Sequence, residues 1–302
     1  MQPPEGCRVV ALMNQKGGVG KTTTAVNLSA ALARTGLRTL LIDLDPQAHA
    51  TLHLGVDPRT LDGSVYDALL DQSVDPSSLV HRVAENLFVL PAVTDLAAAE
   101  TELATVTDRQ RRLAAAIHRL APAYDAILID CPPSLGLLTI NALAAAHEVL
   151  VPMQAHFLAL QGVSKLLETV SAISASVNPR LRVLGVVLCM HDANTTHTQE
   201  VVADLDAFFE QHRGTASPWA QARVFRPPVR RNIKLAECPS FGQTVFDYAP
   251  GAAGAADYLA LAEAIVRTWT EGGAGGDGAE TRTPEVRVVV APASPVATER
   301  PD

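Results

Sequence analysis

The chain has 302 residues, of which 48% are apolar and 19% are charged, and its formal net charge is −8 at pH 7. This composition indicates a globular protein with an ample core, and its acidic balance argues against a protein that coats nucleic acid with its whole surface. No apolar run approaches the roughly 18–20 residues of a membrane span, and residues 1–6 lack the features of a signal peptide, so a cytoplasmic protein is expected.

The four cysteines are widely separated along the chain and form no C-x-x-C pair: Cys7, Cys131, Cys189 and Cys238. This spacing is typical of reduced, mostly buried thiols and does not favour disulfides or a metal site. His49, His53 and His81 likewise lack the spacing of metal ligands.

An apolar segment, a glycine-rich turn and a helical pattern follow one another at the start of the chain. Residues 8–13 indicate a buried strand, and apolar residues recur at helical spacing from Thr22 to Arg34. Glycines allow backbone N–H groups to surround a phosphate, and a helix N-terminus adds partial positive charge. The pattern predicts that Lys21 reaches the β- and γ-phosphates and that Thr22 ligates Mg²⁺. The expected phosphate cradle consists of Gly17, Gly18, Val19, Gly20, Lys21, Thr22 and Thr23.

This turn departs from the ordinary phosphate-loop pattern, which has a glycine five residues before Gly20. Gln15 stands at that position, and a second lysine, Lys16, precedes the glycine pair. The variant K-G-G-x-G-K-T resembles the deviant Walker A motif of the ParA/MinD family of ATPases.

Residues 38–43 indicate a second buried strand, which ends in the sequence Asp43-Leu44-Asp45-Pro46-Gln47. Carboxylates at the carboxyl end of a parallel strand lie where ligands bind in a doubly wound sheet. The D-x-D-P-Q sequence resembles the second nucleotide motif of ParA proteins. The resemblance implies that Asp45 orients the attacking water and that Asp43 lies nearer the Mg²⁺ shell.

Residues 48–106 carry weaker signals. We expect a loop over 48–63, a short helix over 65–70, a strand over 87–90, and helices over 97–105 and 109–120.

Residues 124–130 give the clearest strand signal in the chain, an apolar run that ends in Asp130. A carboxylate in this position is the Walker B geometry, which holds Mg²⁺, usually through water. The following D-x-P-P-S sequence resembles the ParA family again, and the resemblance implies that its turn senses the γ-phosphate. Cys131 is interpreted as a small residue beside the strand and not as a nucleophile.

Strand and helix signals continue to alternate as far as residue 270. We expect strands over 148–152, 181–188 and 222–225, and helices over 162–177, 201–212 and 254–269. This alternation predicts an α/β fold with a doubly wound, mostly parallel sheet flanked by helices. It favours one domain over 7–270, although length alone leans towards two, with a flexible segment 1–6 and a disordered tail 271–302.

Residues 226–234 concentrate positive charge in an otherwise acidic chain. With residues 235–240 they resemble the ParA segment P-R-N-V-R-L-S-E-A-P-S, which in that family lies near the adenine and helps to bind DNA without sequence preference. The resemblance places Asn232 in the nucleotide site, whereas a solvated charge cluster remains the alternative interpretation of the cations. The candidate DNA-binding residues are Arg226, Arg230, Arg231 and Lys234.

One departure from the family lies upstream of this segment. ParA proteins often carry D-A-R-T after the preceding strand, and this chain has Asp192-Ala193-Asn194-Thr195. One positive charge per subunit is therefore missing, which implies lower DNA affinity or a different cargo arrangement.

The chain as a whole resembles the ParA/Soj branch. The resemblance implies an ATP- and Mg²⁺-dependent ATPase that forms a homodimer, in which Lys16 reaches the nucleotide of the other subunit. It also implies binding to nonspecific double-stranded DNA, association with the nucleoid, and a ParB-type partner that stimulates hydrolysis during chromosome or plasmid partition.

The same motifs have alternative interpretations. A ParA-like ATPase that positions a non-DNA cargo, such as a chemoreceptor array or a microcompartment, uses the same motifs and stays open. A MinD-like membrane switch should end in a basic amphipathic helix, which this sequence lacks. An iron–sulfur carrier would need paired cysteines, and a bacterial tyrosine kinase a tyrosine-rich tail. A nonenzymatic DNA-binding adaptor would require Lys21 and Asp45 to be dispensable.

Overall fold

The computed structural model describes residues 6–155, 159–192 and 196–272. Within these ranges eight strands form one sheet in the order β3-β4-β2-β5-β1-β6-β7-β8, and neighbouring strands are parallel except for β3 with β4. This arrangement confirms the predicted doubly wound, mostly parallel α/β fold. The strands are β1 (Arg8–Leu12), β2 (Thr39–Asp43), β3 (His81–Ala84), β4 (Leu87–Leu90), β5 (Ala126–Asp130), β6 (Glu148–Met153), β7 (Arg182–Leu188) and β8 (Arg223–Val224).

Eleven helices in the described part of the chain connect and flank these strands. They are α1 (Lys21–Arg34), α2 (His49–His53), α3 (Val65–Leu70), α4 (Leu96–Leu103), α5 (Arg112–Leu120), α6 (Leu137–Ala145), α7 (Ala159–Ser176), α8 (Thr196–Gln211), α9 (Ile233–Glu237), α10 (Val245–Tyr248) and α11 (Ala253–Gly272). Short 3₁₀ turns cover Pro58–Thr60, Pro76–Leu79, Ala121–Ala123 and Cys238–Phe241.

The sheet is buried between two layers of helices because successive side chains of a strand point to opposite faces. In β1, Val9 and Ala11 pack in a core with α3 to α8, whereas Val10 and Leu12 pack in a second core with α1, α2 and α9 to α11. Burial on both faces explains why the central strands are continuous apolar runs. The same arrangement brings the carboxyl ends of β1, β2 and β5 together at one edge.

The structure corrects two local predictions. The expected loop over 48–63 contains α2 and the turn Pro58–Thr60. The edge strand β3 was not predicted, because most of its side chains are exposed and it lacks an apolar pattern. Its formation depends on antiparallel pairing with β4, a contact that no local signal specifies.

Some predictions fall outside the described residues. These include residues 1–5 of the flexible N-terminus, Asn194 in the D-A-N-T departure, and residues 273–302 of the predicted tail. Glu271 and Gly272 belong to the end of α11. In the part that is described, no helix is long and apolar enough to cross a membrane.

Helix α2 is held against the turn Cys238–Phe241 by two close contacts. The Cβ of an alanine at Gly242, where φ is 62°, would lie 2.8 Å from the Cα of Gly55. His53 is 2% exposed, and its Nε2 lies 3.4 Å from Sγ of Cys238. The segment after Asp45 and the segment after Asn232 therefore pack as one unit.

His53 gives this unit a predicted pH dependence. Burial lowers the pKa of His53 from 6.5 to about 4, against a hydrogen bond with the backbone of Gln243 that raises it. Between about pH 6.5 and 4 the unfolded chain binds a proton that the folded chain does not. The free energy of unfolding should therefore decrease by about 1.4 kcal/mol for each unit by which the pH is lowered. Chemical denaturation across this range should show that the free energy of unfolding of His53→Gln depends less steeply on pH than that of the wild type, by about one proton. The exposed His81 provides the control: His81→Gln should keep the wild-type slope, and an equal change in both variants would contradict the assignment.

Candidate nucleotide-binding site

The loop between β1 and α1 has the geometry of a phosphate cradle. Gly18 and Gly20 have φ values of 73° and 92°, in the left-handed region that favours glycine. A Cβ added at Gly17 or Gly18 would meet no atom within 4 Å, so open space lies above the loop. Gly20 is the N-cap of α1, and neither a side-chain cap nor an acidic residue occupies the first turn of the helix. The N–H groups at this end are therefore available to an anion.

Lys21 lies at the centre of the site, between carboxylates from two other strands. Its Nζ lies 3.1 Å from Oδ1 of Asp130 and 4.0 Å from Oδ2 of Asp45, and the lysine side chain is only 9% exposed. Burial lowers the pKa of Lys21, but Asp130 and then Asp45 raise it to a net value above the usual one. The ammonium group is therefore charged and fixed beside the loop. The structure thus brings together Lys21, Asp45 and Asp130, which the sequence placed in three separate motifs.

Asp43, the last residue of β2, holds the turn that carries Asp45. Its Oδ2 accepts hydrogen bonds from the backbone N and Oγ1 of Thr51 at 2.8 and 2.7 Å, and its Oδ1 accepts one from the backbone N of Asp45 at 3.2 Å. Burial, with the nearby charge of Asp130, raises the pKa of Asp43 to about 7. These bonds fix the start of α2 and the turn that carries Asp45. The role of Asp43 near Mg²⁺ stays a prediction, because both of its carboxylate oxygens already accept hydrogen bonds from Thr51 and Asp45.

The residues around Asp130 fit a divalent cation. Oδ2 of Asp130 is buried and has no hydrogen-bond partner among the described residues, and the Thr22 hydroxyl hydrogen-bonds to the same carboxyl group. The carboxyl groups of Asp45 and Asp130 lie beside the single ammonium of Lys21, and Asp43 lies close enough to Asp130 for the two to interact. Oxygen ligands and surplus negative charge are what Mg²⁺ selects. We therefore expect Thr22 and Asp130 to hold the ion, with Asp43 behind them.

Lys16, the second lysine of the loop, lies in a different environment from Lys21. Lys16 is exposed, whereas Lys21 is buried. Its backbone N donates to Oδ1 of Asn14 at 2.9 Å, and the Asn14 side chain donates to the carbonyl of Pro152 at 2.8 Å. The position of Lys16 at the mouth of the site is thus fixed through the end of β6.

Two further residues touch the cradle without any signal in the sequence. Nε2 of Gln154, just beyond β6, donates to the carbonyl of Gly18 at 3.3 Å. Cys189, just beyond β7, lies so close to Gly20 that an added Cβ there would be 3.2 Å from its own Cβ. Both contacts arise because β6 and then β7 follow β1 in the sheet, which is a property of strand order.

Asn232 lies at the start of α9, where its Oδ1 accepts a hydrogen bond from the backbone N of Lys234 at 2.9 Å. The side chain is thus fixed as the N-cap of this helix, and its contact with the adenine stays a prediction.

Most cations of the basic segment are paired with acids. Arg226 bonds to Asp206 at 2.5 Å, and Arg230 bonds to Asp257, which is 3% exposed, at 2.7 Å. Lys234 bonds to Glu237 at 2.8 Å and lies over the ring of Tyr248. Arg231 is exposed and makes no ion pair with any described residue. Pairing therefore leaves Arg231 as the main source of positive potential in this segment.

Comparisons with known proteins agree with this geometry. Residues 7–183 match the family described as AAA domain. The chromosome partitioning protein ParA of Myxococcus xanthus is 42% identical over 86% of this chain and 88% of its own length. The chromosome-partitioning ATPase Soj of Thermus thermophilus is 46% identical over 86% and 95%. The chain belongs to the ParA/Soj family of partition ATPases.

A solved structure extends the comparison to three dimensions. The protein called cobyrinic acid a,c-diamide synthase from Mycobacterium smegmatis, crystallised with an ATP analogue and magnesium, is 39% identical. Its TM-score is 0.73, and the match covers 88% of this chain and 97% of that one. The ParA/Soj motifs identified from the sequence thus occur in a fold that has been seen with both ligands.

The contrast between Lys21 and Lys16 predicts different effects on nucleotide binding. Lys21→Ala removes the buried ammonium and leaves two carboxylates unpaired, so titration calorimetry should show ATP affinity reduced by a hundredfold or more, on the order of 3 kcal/mol. Lys16→Ala is the matched control, because its side chain is exposed, and affinity for ATP in the monomer should change by less than about threefold. A similar reduction in both variants would contradict the separation of their roles.

Proposed function

We propose that this ParA/Soj family member is a Mg²⁺-dependent ATPase that dimerises on ATP, binds duplex DNA without sequence preference, and drives chromosome or plasmid partition with a ParB-type partner. The observation that carries the proposal is the buried Lys21, which lies 3.1 Å from Asp130 and 4.0 Å from Asp45 beneath an open phosphate cradle that also presents Lys16. Relatives named for chromosome partitioning, at 42% and 46% identity, support the biological assignment.

The chemistry follows from what these groups can hold. Backbone N–H groups of residues 17–23 surround the phosphates, and Lys21 contributes its charge to the β- and γ-phosphates. Thr22 and Asp130 would hold Mg²⁺, which neutralises charge that develops on the phosphates. The Asp45 carboxylate, 8% exposed and fixed by the backbone N of Gln47, accepts a hydrogen bond from the attacking water and orients it. Positioning and charge stabilisation supply most of the catalysis in phosphoryl transfer.

In the proposed dimer, Lys16 contacts the nucleotide of the other subunit. An exposed ammonium at the mouth of the cradle can reach a phosphate presented by a second subunit, and ATP between the subunits then supplies the opposing negative charge. The site is complete only in the dimer, so assembly controls turnover. A ParB-type partner that acts on the dimer would stimulate this step and release the protein from the nucleoid.

DNA binding in this scheme depends on the basic segment, and within it mainly on Arg231. Each subunit contributes a modest positive surface, and the dimer doubles it. Positioning of a non-DNA cargo uses the same ATPase cycle and differs in the partner, so cargo co-purification distinguishes it from partition. A MinD-like membrane switch predicts binding to anionic vesicles in place of DNA.

A second candidate follows from the name of the 39% identical protein, because amide synthesis also consumes ATP. Release of ammonia from glutamine commonly requires a reactive thiolate. All four cysteines here are buried, and burial raises the pKa values of Cys7 and Cys131 to about 12 and of Cys189 and Cys238 to about 11. An increase in the rate of ADP formation when duplex DNA is added would favour the partition function. Formation of glutamate from glutamine would favour the amidation function.

Asp45→Ala tests whether hydrolysis ends the dimeric state. Without the water-orienting carboxylate, hydrolysis should fall at least a hundredfold, about 2.7 kcal/mol in barrier, while the ATP-bound dimer persists. Light scattering coupled to size-exclusion chromatography should show a dimer that outlives the wild-type dimer under limiting ATP. Asp62→Ala, at an exposed loop position, is the control and should turn over normally. A monomer at saturating ATP in Asp45→Ala would refute the mechanism.

Arg231→Ala tests the DNA surface. In the presence of a nonhydrolysable ATP analogue, affinity for a random duplex should fall, and the slope of log K against log salt should decrease by about one for each phosphate that is no longer bound. Arg226→Ala should have a smaller effect, because Asp206 already offsets its charge. Equal reductions in both variants would show that ion pairing does not determine the binding surface.

A further inference from the structure

Arginines also collect at the opposite edge of the sheet, where the strands begin. Arg8 is the first residue of β1, Arg182 the first of β7 and Arg223 the first of β8. The phosphate cradle, Asp45, Asp130 and the basic segment all follow the carboxyl ends of strands. Parallel pairing of β1, β6 and β7 places Arg8 and Arg182 near one amino edge, away from the nucleotide, whereas Arg223 pairs with Gly185 further along the sheet.

Three exposed arginines, Arg111, Arg180 and Arg182, form a cluster around the turn between α7 and β7, which we call the amino-edge cluster. Nη2 of Arg111 donates to the carbonyl of Val177 at 3.2 Å. Nη1 of Arg182 donates to the carbonyls of Pro179 and Leu181 at 2.9 and 2.8 Å. Backbone anchors hold two of these guanidinium groups within one short turn.

The turn itself is fixed to its neighbours. Nδ2 of Asn178 donates to the carbonyls of Leu143 and Ala146 at 2.9 and 2.7 Å, at the end of α6. The backbone N of Arg180 donates to Oδ1 of the same asparagine at 3.3 Å. The amino-edge cluster is therefore presented on an ordered surface and not on a long loop.

The positive charge of the cluster is not offset locally. None of its arginines forms an ion pair with a described residue, although the chain carries an excess of acids. Three acids at this edge have other partners: Glu148 accepts from Trp269 and interacts with the charge of Arg8, Asp125 accepts from the backbone of Arg38, and Glu210 accepts from Arg213. Burial, then the charges of Arg8 and Arg180, lower the pKa of His147 to about 4, which agrees with a positive field here.

The chemistry of this surface fits a chain of phosphates. Guanidinium groups bind phosphate oxygens through two parallel N–H donors and are weakly hydrated. The exposed Arg111, Arg180 and Arg182 present three guanidinium groups around the turn 177–181, and several cations on one surface suit the successive phosphates of a polyanion. The exposed large apolar side chains of the described residues, Leu52, Leu135, Ile233 and Phe241, lie outside the cluster, so it offers nothing to insert into a membrane.

We propose that the amino-edge cluster is a second contact surface for the phosphate backbone of duplex DNA, separate from the basic segment around Arg231. The proposal rests on the proposed DNA-binding function but assigns it an additional surface. In a dimer whose subunits meet across their nucleotides, the carboxyl edges face inward and the two amino edges face outward. The cluster can therefore engage DNA that the inward segment does not reach.

Fluorescence anisotropy of the full chain with a random 30-base-pair duplex and a nonhydrolysable ATP analogue tests this surface. Arg180→Ala combined with Arg182→Ala should weaken binding about tenfold at 50 mM salt and reduce the slope of log K against log salt by about two. Because Arg182 also holds two carbonyls, Arg180→Glu is the second variant. It replaces a cation by an anion and should weaken binding about threefold or more. Amide exchange over residues 177–183 should slow when DNA is added.

The control has the same charge change at the other end of the sheet. Arg82→Ala in β3, combined with Arg59→Ala in an exposed turn, should stay within about twofold of wild type. Equal weakening in the control, or unchanged affinity in both Arg180 variants, would overturn the proposal. If only Arg231→Ala weakens binding, the proposal fails and the proposed function stands. Cluster-dependent binding to anionic vesicles in place of DNA would overturn the assignment, and absence of DNA binding by the wild type would overturn both.

Discussion

The buried ion pair between Lys21 and Asp130 is the interaction on which the site depends. Nζ and Oδ1 lie 3.1 Å apart, with both side chains almost fully removed from water. Burial of a single charge costs several kcal/mol, so each partner is stable here only because the other is present. The pair joins the start of α1 to the end of β5, and the turn after β2 brings Asp45 to the same place. The ammonium is thereby held where phosphates would lie, and one carboxylate oxygen stays available for a metal ion.

Hydrogen bonds from neighbouring residues hold the segments around this ion pair in place. Asp43 contributes three hydrogen bonds that fix the turn of Asp45 and the start of α2. At the other end of α2, His53 contacts Cys238 and Gly55 contacts Gly242. The turn Cys238–Phe241, which Gly242 ends, follows the helix capped by Asn232. The loop that carries Asp45 and the segment that carries Asn232 are therefore joined by direct contacts.

Charge is distributed unevenly over the two edges of the sheet. At the carboxyl edge the conspicuous run of cations is mostly neutralised by Asp206, Asp257 and Glu237, so its potential is weaker than the sequence suggests. At the amino edge, arginines that are far apart in sequence gather without acidic partners around residues 177–181. Surface potential depends on such pairing and not on the number of basic residues in a segment. A chain with net charge −8 can therefore carry two separate surfaces for phosphate.

The sequence by itself determined the fold class and the identity of the phosphate loop, because glycine spacing, strand-terminal aspartates and alternating apolar runs are local signals. Lys16, Lys21, Asp45 and Asp130 were predicted from such signals and from the family resemblance, and the structure brings Lys21, Asp45 and Asp130 together. The tertiary structure alone decided which cations are paired, that both oxygens of Asp43 are engaged by Thr51 and Asp45, and that Gln154 and Cys189 reach the loop. It also decided the existence of β3 and α2. These features depend on contacts between residues distant along the chain, which strand order creates and no local pattern encodes.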